Sequence, residues 1–282
     1  MDIPIERIAS LADAPAVFPH ALPVLGELDC VWRPRAPGRD GAELALASLT
    51  IAAELSVKRE AAGMVTGPIA KALLAEVGFD YPGQTEFVAS VCGVAAEDAV
   101  MMLAGPQLRT IPLTVHIALA QVPGLITIEL ILRRARAAAK ALTQDFGIER
   151  PRIAFAGLNP HAGEAGRMGD EEIRVIAPAI AALQSEGIAA SGPYPADALF
   201  APHARAKYDV AIAMYHDQAL IPLKALDFDN GVNVTLGLPI VRTSPDHGTA
   251  FDIAGTGRAN AGAMIAAIRM AGECAARRAA SG

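Results

Sequence analysis

"RIAFAGLNPHAGEAGRMGDEE", Arg152 to Glu172, decides how this chain is read. Ile153-Ala154-Phe155-Ala156 is short and wholly apolar, the signature of a strand buried on both faces. It breaks into a loop that sets Asn159, His161 and Glu164 among Gly157, Gly163, Gly166 and Gly169, and then Asp170, Glu171 and Glu172 open a helix. Acidic residues suit the positive end of a helix dipole. A core strand emptying into a polar loop and then a helix is the unit of an α/β sheet, whose ligands collect beyond the carboxyl ends of the strands.

The same grammar recurs along the chain. Gly63–Thr66 and Asp209–Met214 read as further strands that run into polar or glycine-rich sequence. Ala42–Ala62 and Glu129–Phe146 have helical period, the second with Arg133, Arg134, Arg136 and Lys140 on its wet side. Gly63 and Gly147 stand where C-terminal caps form. Alternation of this kind predicts an α/β fold, a parallel sheet covered on both faces. No fixed-period repeat and no low-complexity linker divides the chain, so two discontinuous domains are expected rather than two in series. The proline-rich first forty residues have little periodicity, and residues 32–38 read as a loop.

Composition narrows the function. The 282 residues are 52% hydrophobic, 5% aromatic and 19% charged, with net charge −6. No Lys/Arg cluster interleaved with aromatics offers a nucleic-acid or anionic-membrane surface. A small anionic substrate is still allowed, since a few placed cations suffice to bind one. Cys30, Cys92 and Cys274 are far apart with no CxxC spacing, so they read as reduced core thiols rather than a disulfide framework or thiolate zinc site. MDIPIERIAS has no leader pattern and no window reaches 18 apolar residues, so a cytoplasmic protein is expected.

Of six histidines, three share a context. His161 follows the strand 152–156, His216 follows 209–214 within "MYHDQ", and His116 sits in the β-rich "RTIPLTVHIALAQVPG". Three imidazoles converging from separate strand ends would suit a divalent metal with an open coordination position. Asp217 could orient one of them or act as a base, and it could equally be a turn residue. His20 and His203 lie in loops and read as solvated.

Cations and glycines supply further candidates. "MVTGPIAKALL" is strand, turn and helix start, with Lys71 in the first helical turn, a plausible anion site. Lys224, Asn233 and Arg242 flank "FDNGVNVTLGLPIV", where loop decoration and a phosphate or carboxylate clamp both account for them. Ser244–Asn260, "SPDHGTAFDIAGTGRAN", is rich in glycine and short polar side chains, but Asn260 takes the place of the last glycine of a dinucleotide fingerprint.

Together "GLNPHAGE", "MYHDQALIPLK" and "VNVTLGLPIVRTSPDHGTAFDIAGTG" resemble the 4-hydroxythreonine-4-phosphate dehydrogenase family of vitamin B6 biosynthesis, from about Gly63 to the C-terminus. The last motif also resembles the HGxAxDIAGxGxAN segment of isopropylmalate dehydrogenases, where NAD binds. The resemblance implies a two-domain α/β/α fold like the isocitrate and isopropylmalate dehydrogenases. It places a nucleotide-binding domain at 1–110 and 235–282, and a metal, substrate and dimerisation domain at 111–234. It implies a homodimer with a shared active site, NAD or NADP, and a divalent metal, Zn²⁺, Mg²⁺ or Mn²⁺. The metal ligands fall on His116, His161 and His216. Substrate contacts fall on Gln84, Thr85, Lys224, Asn233 and Arg242, and cofactor contacts on His247, Gly248, Thr249, Asp252 and Asn260.

Two features depart from the family pattern. Gly83-Gln84-Thr85-Glu86 stands where GHTE is usual, exchanging an imidazole for a neutral amide and leaving Thr85 as the better substrate contact. The GDPxGIGPE loop that usually opens the family's sequences is not found before Ile3. The expected reaction is oxidation and decarboxylation of 4-phosphooxy-L-threonine, with Asp217 as candidate base and Lys224 in the catalytic set. Alternatives are a paralogue acting on D-threonate or D-erythronate 4-phosphate or a cis-dihydrodiol carboxylate, which Gln84 favours, and a non-catalytic binding protein.

Overall fold

The computed structural model describes residues 3–281 apart from residue 32, so one residue of the loop expected at 32–38 lies outside the described residues. Ten strands form: β1 Ile5–Ile8, β2 Leu22–Leu25, β3 Met64–Val65, β4 Val100–Ala104, β5 Arg109–Thr114, β6 Arg152–Ala156, β7 Ala189–Tyr194, β8 Val210–Tyr215, β9 Val232–Leu236 and β10 Arg242–Pro245. Strands β1 and β2 pair in parallel as a separate small sheet. The other eight make one sheet in the order β3-β10-β9-β4-β5-β8-β6-β7.

The expected all-parallel sheet is half right. Strands β5, β8, β6 and β7 are mutually parallel, whereas β4 is antiparallel to β5 and to β9, and β10 to β9. The cause is connection length. Four residues link β4 to β5 and five link β9 to β10, and a parallel crossover needs a dozen or more. The first hairpin is closed by Gly105 N–H donating to the Leu108 carbonyl at 2.8 Å, and Asp227 accepts the Gln107 N–H at 3.0 Å.

Six helices matter here: α1 Arg39–Val57, α2 Gln84–Val91, α3 Ile128–Gln144, α4 Ala177–Ser185, α5 His216–Asp227 and α6 Gly262–Ser281. Of the parallel strands, β5, β6 and β8 are buried on both faces. Ile153, Phe155, Val210, Ile212 and Met214 pack with Ile131, Ala135, Ala138 and Leu142 of α3. Their neighbours Ala154, Ala156, Ala211 and Ala213 face Ala219, Leu220 and Leu223 of α5, where small side chains let the helix lie close. The runs read as wholly apolar because two layers cover them.

Helix boundaries shift for local reasons. Helix α1 stops at Val57 rather than at residue 62, and Arg59, at φ 60°, takes the left-handed position expected of Gly63. Gly63 instead answers to a close approach, since a Cβ there would sit 2.9 Å from the Val241 carbonyl. Thr127 caps α3 by accepting from Leu130 N–H at 3.1 Å, and Gly147, at φ 68°, follows that helix as expected. Arg134 is half-buried instead of on the wet side, donating to the Glu97 and Ala99 carbonyls, both at 2.9 Å. The three cysteines are free, but only Cys274 is buried; Cys30 and Cys92 are intermediate. No described helix is long and apolar enough to cross a membrane.

The β9–β10 hairpin admits one residue type at its first position. Gly237 has φ 83°, and a Cβ there would collide with the Asp98 carbonyl. Gly237→Ala is expected to cost about 3 kcal/mol, seen as a lower urea midpoint. Gly41→Ala, inside α1 with open space around it, is expected to raise the midpoint slightly.

Candidate functional site

The carboxyl ends of β5 and β8 are neighbours because the two strands pair in parallel, Thr114 beside Tyr215. The residues just past those ends are therefore brought together: the His116 and His216 rings lie 5.8 Å apart, centroid to centroid. His116 reaches its place through a left-handed backbone, φ 54°. Asp217 Oδ1 is 2.7 Å from His216 Nδ1. The carboxylate thereby orients the ring and leaves Nε2 as its other face. Asp217 lines a small cleft of about 290 Å³ with both histidines, next to the main one rather than in it.

The main cleft, about 490 Å³, collects most of the remaining candidates: Gln84, Thr85, Lys224, Asn233, Arg242 and His247, with Gly248 and the two imidazoles. Lys71 and Arg134 also line it. Arg242 begins β10 and is 3% exposed. Its Nη1 donates to Thr235 Oγ1 at 3.0 Å, and its Nη2 to Thr66 Oγ1 at 2.8 Å and to Gln84 Oε1 at 2.6 Å. Its Nε finds no hydrogen-bond partner. Burial draws its pKa down to about 10, with the Glu86 carboxylate pulling the other way. It is cationic at neutral pH, and its hydrogen-bonded neighbours are all neutral oxygens. A buried cation in that setting is costly until an anion arrives.

Other polar groups in the cleft fall into two kinds. Asn233 Oδ1 is buried without a hydrogen-bond partner, an acceptor suited to a ligand N–H or O–H. Lys224 Nζ is held 2.9 Å from Asp246 Oδ2. Gln84 is occupied at both ends, since its Nε2 donates to the Gly67 carbonyl at 3.0 Å while its Oε1 holds Arg242. Its amide is part of the cradle of the guanidinium, and Thr85 lines the same cleft.

Not every candidate converges. His161 stands exposed on the loop after β6 and does not line the main cleft. Among the described residues no group of three His, Cys, Asp or Glu side chains is placed to hold a metal ion. Thr249, Asp252 and Asn260 lie beyond the cleft-lining residues. Asn260 accepts from Gly262 N–H at 2.8 Å at the start of α6. His20 and His203 are exposed, as expected.

Several working residues escaped the sequence reading. Gln218 of "MYHDQ" accepts the Met214 N–H at 2.7 Å and donates to the Gly157 carbonyl at 2.8 Å, tying the exit of β8 to that of β6. Only its closeness to His216 in the sequence hinted at this. Thr66 and Thr235, which hold Arg242, carry no local signal at all. The loop after β6 is also unusual. His161, Ala162, Glu164 and Ala165 all have positive φ, from 44° to 56°. A left-handed backbone costs about 1–2 kcal/mol per non-glycine residue, so the surroundings must hold this turn in place.

Comparison with known proteins shows the family. The family described as pyridoxal phosphate biosynthetic protein PdxA matches residues 2–271. A 4-hydroxythreonine-4-phosphate dehydrogenase of Erythrobacter litoralis is 64% identical over 98% of this chain and 82% of its own length. The crystal structure of a 4-hydroxythreonine-4-phosphate dehydrogenase from Klebsiella pneumoniae, 39% identical, superposes with a TM-score of 0.87 over 98% of this chain and 83% of that one. A terephthalate 1,2-cis-dihydrodiol dehydrogenase from Burkholderia xenovorans is 31% identical with a TM-score of 0.66, covering 90% of this chain and 81% of its own.

The Arg242 cradle generates a direct test. Inorganic phosphate is expected to raise the melting temperature, by the equivalent of about 2.7 kcal/mol at a hundredfold excess over its Kd. Arg242→Met, which replaces the cation by an apolar side chain of similar length, is expected to fold and to lose that response.

Proposed function

The chain belongs to the PdxA family of pyridoxal phosphate biosynthetic proteins, and from that premise we propose that it oxidises and decarboxylates 4-phosphooxy-L-threonine, with NAD or NADP accepting the hydride. The products are 3-amino-2-oxopropyl phosphate, CO₂ and the reduced nicotinamide. The observation that carries this reading is the buried Arg242 guanidinium, set among neutral oxygens in the same cleft as Lys224, Asn233 and the imidazoles of His116 and His216.

Each residue has a role in this scheme. Arg242, with Thr85 beside it, receives the anionic tail, and the charge-assisted contacts position the carbon that reacts. Asn233 Oδ1 accepts from a substrate N–H or O–H. Lys224, steadied by Asp246, is assigned to the catalytic set and helps Arg242 hold the anionic tail. His247 and Gly248 of the glycine-rich loop reach the cleft, and with Thr249, Asp252 and Asn260 they are assigned to the nucleotide. Residues 1–110 and 235–282 then form the nucleotide side, and 111–234 the metal, substrate and dimer side.

The donor chemistry suits a divalent ion, with one qualification that the geometry imposes. His116 and His216 form a two-imidazole half-site, and Asp217 orients one ring as partners of metal-binding histidines commonly do. His161, exposed on its loop, is assigned as the third ligand, contributed by a second copy of the chain in a homodimer with shared sites. When bound, Zn²⁺, Mg²⁺ or Mn²⁺ would polarise the substrate hydroxyl and then the carbonyl that withdraws electrons as CO₂ leaves. The three free thiols suit a reducing, cytoplasmic setting.

A second reading rests on the 31% identical dihydrodiol dehydrogenase and on Gln84, whose amide replaces an imidazole. In this reading the substrate is a cis-dihydrodiol carboxylate. The purified protein with NAD and Mn²⁺ is expected to form NADH and CO₂ from 4-phosphooxy-L-threonine. Turnover of a dihydrodiol carboxylate or a threonate phosphate, but not of this compound, would reassign the substrate.

Sharing of the site has its own test. His161→Ala and Arg242→Ala homodimers are each expected to be inactive. Mixed and allowed to exchange subunits, they should regain roughly a quarter of the parent activity, because each mixed dimer carries one intact site. No recovery despite subunit exchange would place His161 in its own chain's site.

A further inference from the structure

We propose that Glu172 is a positioning residue: acting through Asn159, it holds the loop 157–166 in the left-handed form that presents His161. The proposal rests on the reading of His161 as a metal ligand supplied to a second copy.

The geometry is that of a carboxylate around which a loop has been wound. Glu172 is 3% exposed, and the side-chain hydrogen bonds it accepts come from Asn159. Its Oε1 takes the Asn159 backbone N–H at 2.8 Å, and its Oε2 takes Nδ2 at 3.0 Å. Glu171 Oε2 accepts from the same Nδ2 at 2.6 Å, so the amide is gripped by two acidic side chains at once. The loop presses on the carboxylate at both ends. A Cβ at Gly157 would lie 2.9 Å from Ala162 Cα and 3.1 Å from Oε1, and one at Gly163 would lie 2.7 Å from Oε2 and 2.9 Å from the Gly169 carbonyl. Gly169 in turn has no room for a Cβ beside the Asn159 side chain. Gly163 and Gly169 are thus accounted for by one buried side chain and its partner, and Gly157 by the loop's own backbone at Ala162 together with Oε1.

Between these contacts lies the run of positive φ from His161 to Gly166. The hydrogen bonds of Glu172 end on Asn159, so its hold on the imidazole of His161 is transmitted through the backbone of the turn. Glu172 also opens the π-helical turn Glu172–Ile176, a rare geometry often kept where a side chain must be aimed.

Two variants test the proposal. Glu172→Gln keeps shape but turns an amide N–H₂ toward Asn159 Nδ2. Gly163→Ala leaves the charge intact and pushes the loop off the carboxylate. Both are expected to raise amide hydrogen exchange in 157–166 at least tenfold and to weaken Zn²⁺ binding, followed by calorimetry, by roughly 10- to 100-fold. The phosphate-induced thermal shift at Arg242 should stay at the parent value in both. Unaltered exchange in the loop of both variants would overturn the proposal. His161→Ala separates it from its premise: if that variant binds Zn²⁺ as tightly as the parent while the loop of Glu172→Gln still opens, the positioning role stands and the ligand assignment falls.

Discussion

The organisation of the cleft depends on a cation buried without a carboxylate against it. Arg242 is anchored by Thr235 from β9, Thr66 from the end of β3 and Gln84 from the start of α2, three segments far apart in sequence. Hydroxyl and amide oxygens fix the guanidinium fork, the Glu86 carboxylate offsets only part of the effect of burial, and desolvation of such a group costs several kcal/mol. A protein that accepts this cost in the apo form recovers it when an anion binds. The same three contacts tie the antiparallel half of the sheet to helix α2, so the cleft and that half of the fold stand together.

The parallel half answers to a different constraint. β5, β8 and β6 lie side by side with their carboxyl ends at one edge, and one of the three candidate imidazoles follows each, His216 on the first residue of α5 and the other two on loops. Adjacent strands bring His116 and His216 within reach of one another. β6 lies on the far side of β8, and its loop folds back on Glu172 and carries His161 outward. One chain therefore holds a pair and displays a single histidine. That division suits the proposed site shared between two copies, in which the buried carboxylate of Glu172 would serve to present His161. Gln218 complements it by locking the exits of β8 and β6 together at their base.

Much of this was legible in the order of residues. The strand 152–156 is observed with the bounds expected, because both its faces are buried and its run is apolar without a break. The cleft gathers Thr85, Lys224, Asn233 and Arg242 with two histidines, as the motifs implied. The readings that failed share a cause. Arg134 has the helical position of a solvated residue, yet two carbonyls at the end of the turn 96–99 draw it inward. Gly63 follows a helix as a cap would, but its lack of a side chain serves the close passage of Val241.

Local sequence by itself determined the strand 152–156, the neighbourhoods of strands β3 and β8 and the courses of helices α1 and α3, because burial on two faces and helical period are written in neighbouring residues. Tertiary structure alone decided that half the sheet runs antiparallel, that two imidazoles meet while the third is turned outward, and that Gln84 holds Arg242. Those outcomes depend on which strands lie side by side and on what fills the space between them. Such contacts join residues more than a hundred positions apart, as Gln84 and Arg242 are, where no local pattern reaches.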